Sequence, residues 1–266
     1  MSAPTTPPTL STTKTVRDFG QPDGLFRSCM NIIRHSHTKG QLLRTFFIIS
    51  GVFSDKIMYA ELLTQFYVTT ECLDLILSES ESEIASSVLN SELGKYKRFC
   101  NDYATDLEHL LGPDHLRIIN SYKSEAAIKY IKTLKENNAK VELRDASLLA
   151  GIFILWGPMI IGGGAMLYPR VKKAYGELAC STFTLFIGSG REKRKREFID
   201  FFDSVGERME EEEFNKVVEL CGEYMRMNNE MMVQVKRRPW WVKWGVGLGI
   251  SLTCGAVYVY VKKKKT

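Results

Sequence analysis

The chain has 266 residues, six cysteines, four histidines and a formal net charge of +5, with a pI of ≈ 8.8. Residues 236–266 hold eight Lys/Arg and no Asp/Glu, so residues 1–235 carry 5 − 8 = −3. The basic balance therefore belongs to the end of the sequence and gives no ground for a nucleic-acid partner.

Residues 1–19 are rich in Ser, Thr and Pro and lack the apolar core of a secretion signal, so they read as a disordered leader. Residues 20–235 read as one all-α multihelical domain. Leu25, Cys29, Ile32, Ile33, Ser36 and His37 share one face of a first helix at three- and four-residue steps. A second helix, about Asp55 to Ser78, turns Leu62, Phe66, Leu73 and Leu77 inward, and Ser78–Ser91 reads as a solvated connection. A third runs from Glu92 to Leu111 and ends at Gly112-Pro113, where proline cannot continue the ladder. A fourth spans about Ser124 to Lys135, and Asn137-Asn138 closes it.

From Ala146 to Pro169 no residue is charged. Hydropathy alone admits a membrane span here, but Pro158 and the triple glycine Gly162, Gly163 and Gly164 favour a buried, kinked helix. The basic run Arg191–Arg196 precedes a helix carrying Phe198, Phe201, Phe202 and Val205, and Glu211 to Val235 form the last helix of the body.

Trp244 to Val261 form one uncharged, mostly apolar run. Lys236-Arg237-Arg238 and Trp240-Trp241 precede it, and Lys262–Lys265 follow. That length suits a bilayer-spanning helix, and tryptophan rings suit the membrane–water boundary. Residues 236–266 are thus expected to be a basic flank and a C-terminal transmembrane tail anchor, with the body in the cytosol. The endoplasmic reticulum and the mitochondrial outer membrane both fit. The cysteines form no Cys-x-x-Cys pair, as expected of reduced, mostly buried thiols, and a structural zinc site is not expected.

Three features carry candidate chemistry. His37 shares the apolar face of the first helix, where a neutral imidazole is a natural iron ligand; the alternative is a core histidine. His35 lies about 200° round the helix from it and is the second choice. The triple glycine lets a flat ligand or another helix approach bare backbone. The basic run offers cations to carboxylates or phosphates at a pocket edge, or is a solvated loop.

The order of these features, with Tyr67, Leu73-Asp74, Tyr96-Lys97-Arg98-Phe99, Asp106–Gly112 and Ala126–Tyr130 between them, resembles that of the haem oxygenases. The resemblance covers most of residues 20–235 and the anchor. It implies a haem-oxygenase-like fold and the oxidative opening of haem to biliverdin, iron and carbon monoxide. It also implies O2 as oxidant and electrons from a membrane-bound NADPH-dependent reductase. His37-Thr38 matches the family's proximal His-Thr, Tyr67 its tyrosine on the next helix, and Gly163-Gly164 its distal glycine pair. Lys195 or Arg196 matches a basic partner of the haem propionates. The departures are equally specific. The family's distal Asp falls at Ile160, the polar residue after the glycines at Ala165, and two further basic positions at Met30 and Ile199. A degenerate relative that binds haem as a carrier or sensor, or a membrane-anchored adaptor, is the alternative this implies.

Overall fold

The computed structural model describes residues 24–161, 164–165, 167–184 and 190–235. The leader, Gly162, Gly163 and the whole of 236–266 lie outside them. Among the described residues all regular structure is helical. None of the described helices is long and apolar enough to cross a membrane.

Helix α1 (Leu25–Ile49) and the last helix, α11 (Glu211–Val233), run side by side in the same direction. A Cβ added at Gly206, just before α11, would meet Leu25; one at Gly222 would meet Ile32, and one at Gly40 would meet Asn229. The Asn229 Nδ2 group donates to the Ser36 carbonyl at 2.7 Å. Small residues at Gly40 and Gly222 thus let the two backbones approach.

Helix α2 (Lys56–Glu79) starts where the Asp55 carboxylate accepts from the Ile57 and Met58 amides at 3.0 and 2.9 Å. Such a cap satisfies donors that the first helical turn leaves without partners. The Gln65 side chain then fixes α2 to the chain between α5 (His115–Tyr122) and α6 (Glu125–Ala139). It donates to the Tyr122 carbonyl and accepts from the Ser124 amide, at 2.7 and 2.9 Å. Between α2 and α5 lie α3 (Glu83–Asn90) and α4 (Phe99–Leu111).

The uncharged segment folds as α7 (Arg144–Leu155) and the short α8 (Gly157–Ile161), followed by α9 (Tyr168–Tyr175). The break falls at Trp156, two residues before Pro158, as proline's missing N–H and its ring demand. Residues Ala146–Leu155 are all buried, so this is a core helix. Ser147 Oγ and Asn137 Nδ2 meet Tyr224 Oη at 2.7 and 3.1 Å, tying α7 and α6 to α11. Helix α10 (Arg191–Gly206) begins after Gly190 at φ 100° and packs Phe198 and Phe202 against Phe26 and Phe153. Centroid distances in this aromatic cluster run from 4.8 to 6.2 Å.

The fold departs from the sequence reading in four places. Ser78–Ser91 is not all solvated connection: Ser82 Oγ caps α3, which buries Ala85 and Val88. The third predicted helix begins as a 3-10 turn, Glu92–Arg98, and becomes α-helical only at Phe99. The fourth continues through Asn137-Asn138 to Ala139, because Asn137 points inward to Tyr224. Ile32, expected inward, is half exposed, since it lies at the edge of the α1–α11 seam.

A candidate haem site along the first helix

Phe26 fixes the direction in which α1 faces the rest of the fold. Its ring meets Phe153 of α7 at 5.5 Å and Phe198 of α10 at 6.2 Å, and its amide donates to Asp203 Oδ1 at 3.0 Å. His37 follows eleven residues later, about three full turns, so it projects from α1 in nearly the same direction as Phe26. His35 projects about 200° away and is exposed.

The described parts of the Gly157–Tyr175 segment are secured at both ends to neighbours of α1. At its start, Gly157 packs against the Phe198 ring, and Arg191 Nε donates to the Ile161 carbonyl at 3.3 Å. At its end, Tyr175 stacks on Tyr59 at 5.7 Å, and Tyr59 in turn meets Phe53, which follows α1. Phe26 ties α1 to α10, and Phe53, which follows α1, reaches α9 through Tyr59, so His37 lies on the chain between these two contacts. His37 is half-buried, and its pKa is lowered, first by burial and then by the nearby Arg44 guanidinium. Both effects favour the neutral imidazole, the form that offers a nitrogen lone pair to a metal. The described residues contain no group of three or more His, Cys, Asp or Glu that would hold a metal ion alone.

The other predicted residues fall as follows. Gly164 is buried in the 157–175 segment, next to Gly162 and Gly163, which lie outside the described residues. Lys195 is half-buried and Arg196 exposed in the first two turns of α10, the helix whose Arg191 reaches α8. The start of the basic run thus meets the kinked segment through Arg191. Tyr67 is buried on α2 and donates to Glu71 at 2.7 Å; burial and that bond raise its pKa. The departures also hold their places: Ile160 and Ile199 are buried, and Met30 is half-buried.

Against Trp156 lies a buried carboxyl to which the sequence reading gave no role. Asp74, on α2 two turns after Tyr67, is 6% exposed, and both its carboxylate oxygens lack hydrogen-bond partners. Trp156 Nε1 faces it without reaching hydrogen-bond geometry. Burial raises the Asp74 pKa to about 7, with Trp156 and Lys97 opposing and Glu71 reinforcing the shift. A carboxyl that keeps its proton near neutrality therefore sits against the residue at which α7 breaks.

The fold is that of the haem oxygenases. Haem oxygenase 2 of Chlamydomonas reinhardtii, crystallised without haem, matches with a TM-score of 0.64 at 20% identity, over 79% of this chain and 96% of that one. Haem oxygenase-2 of Synechocystis, crystallised with haem and NO, matches at 0.66 and 19% identity, over 80% and 85%. Haem oxygenase-1 of Synechocystis, crystallised with haem, matches at 0.67 and 13% identity, over 88% and 99%. No protein-family model matches the chain, and no curated protein matches it by sequence.

Proposed function

We propose that this chain binds haem between α1 and the 157–175 segment and opens it oxidatively to biliverdin, iron and carbon monoxide. The observation that carries the reading is His37, half-buried with a depressed pKa on the inward side of α1 in a haem-oxygenase fold. Haem supplies the iron centre at which O2 is activated, and its own ring is the substrate. His37 presents a neutral imidazole to the iron. Gly164, with Gly163 beside it in the sequence, would offer haem bare backbone rather than a side chain. Lys195 and Arg196 offer cations to the propionates at the pocket edge. Tyr67 gives the interior a hydroxyl, already oriented by Glu71.

Electrons come from an NADPH-dependent reductase, and residues 244–261 hold the body on a membrane, into which haem itself partitions. A second reading rests on Ile160, which is 1% exposed where a distal carboxylate was expected. An apolar wall there favours a haem carrier or sensor that does not cleave. The test is to load the full chain with haemin in detergent, then add ascorbate or a reductase under air. Decay of the Soret band with growth of biliverdin supports the oxygenase. A persistent Soret band favours the carrier, and no Soret band removes both.

A further inference from the structure

The flanks of α1 on either side of the α11 seam differ in character. Cys29, Ser36 and Gly40 face α11, and His37 and Arg44 project on one side of that line. On the other side Leu42, Phe46 and Ile49 recur at four- and three-residue steps and are 66%, 47% and 74% exposed. Phe46 stands nine residues from His37, about 180° round the helix. Isolated exposed apolar residues are ordinary, but three aligned on one stripe mark a contact surface. The same helix carries Arg27, Arg34, Lys39 and Arg44 and no carboxylate in 25 residues. Lys39 is exposed and falls on the stripe's own side.

The position of this stripe identifies what covers it. Helices α1 and α11 run in parallel, so Ile49 and Val233 lie toward the same end of the pair. Val233, one turn beyond Asn229, is itself 50% exposed. Gln234 then accepts from the Ala126 amide of α6 and Val235 is buried, so the described chain stops at the stripe's end of the α1–α11 pair; its next residues are Lys236-Arg237-Arg238, Trp240-Trp241 and the apolar run to Val261. Resting on the membrane reading of 244–261, we infer that the body lies directly on the bilayer through Leu42, Phe46 and Ile49. These side chains enter the boundary between headgroups and acyl chains, while Lys39 meets anionic lipid phosphates. His37 then opens on the side of α1 turned away from the lipid surface.

The experiment places an environment-sensitive fluorophore at one introduced cysteine of the full chain, with Cys100 and Cys254 replaced by Ser and the buried Cys29, Cys72, Cys180 and Cys221 retained. The labelled variants are Phe46→Cys, Ile49→Cys, Leu116→Cys and Leu252→Cys. Leu116 is 60% exposed on α5, and Leu252 reports on the apolar run. Each is reconstituted in phosphatidylcholine vesicles containing phosphatidylserine, with and without a headgroup-region nitroxide lipid. The proposal expects a blue shift and several-fold quenching at 46 and 49, and neither at 116. It expects the pair Phe46→Asp, Ile49→Asp to abolish body contact, read by a label at Leu42→Cys, while Leu252 stays lipid-embedded. Water-like emission at 46 and 49 with an embedded Leu252 overturns the proposal and keeps the anchor. A water-like Leu252 removes the membrane reading itself. A blue shift at 46 and 49 without vesicles overturns the proposal in favour of a second copy, or of residues 236–266 folding back.

Discussion

Replacing Asp74 with Asn removes a buried titration whose size follows from the structure. In the unfolded chain the carboxyl ionises near its ordinary 3.8, and in the fold near 7, because burial leaves its oxygens without partners. The gap is about three units, and each unit is worth roughly 1.4 kcal/mol, so ionised Asp74 costs the fold on the order of 4 kcal/mol. The sign follows from where the proton is held. Between 3.8 and about 7 the folded state binds the proton and the unfolded state does not. The contribution is therefore fully present below the lower value, is lost as pH rises through the upper one, and is flat beyond it. The asparagine amide has similar shape and no charge at any of these values, and any constant cost of its extra donors cancels from the pH slope. Urea unfolding of the full chain in a non-ionic detergent, from about pH 5 to about pH 8, then gives a wild-type stability falling by roughly 3 kcal/mol relative to Asp74→Asn. Parallel slopes for the two proteins would refute the reasoning and show that the carboxyl finds partners or water in solution.

Two further expectations are independent of haem. The buried Asp106 carboxylate accepts from the Ser181 and Thr182 amides and from Thr182 Oγ, at 2.7, 3.0 and 2.6 Å, so it holds residues 181–183 against α4. Asp106→Ala leaves buried donors without partners and costs about 3 kcal/mol; limited proteolysis near Ser181 would show the loosening, and unchanged resistance would contradict it. A methyl group at Gly206 would fall 2.6 Å from Leu25 Cβ, which no rotamer change relieves. Gly206→Ala therefore destabilises by about 1–3 kcal/mol, measured as a lower urea midpoint. Haem uptake should persist somewhat below pH 6.5 and fail only on further acidification, because burial and Arg44 keep the His37 imidazole neutral; loss of uptake already above that value would oppose His37 as ligand.

Much of the fold was legible because helical periodicity survives in the apolar residues. Leu62, Leu73 and Leu77 of α2 and Val217 and Cys221 of α11 are buried as their spacing required. The break in the uncharged segment was legible from Pro158. The short helix α3 was obscured by its serines, one of which serves as its cap. Helix α5 was unassigned, since it buries only Ile119 and shows little pattern. His37 was legible as an inward candidate and His35 as its opposite, because both follow from phase along one helix. Asp74 was noted only for its place beside Leu73; its burial was hidden, because an acidic residue among Leu73, Ile76 and Leu77 reads as a helix edge until Trp156 is seen to close over it.

The central claim is that His37, on the inward side of α1, holds haem iron. Haemin titration of the full chain in detergent, beside His37→Ala and His35→Ala, tests it most directly. The account predicts a sharp Soret band for wild type and His35→Ala that is shifted and weakened at least tenfold in affinity for His37→Ala, the loss of one axial bond being worth more than about 1.4 kcal/mol. Equal spectra and affinities for wild type and His37→Ala would contradict it.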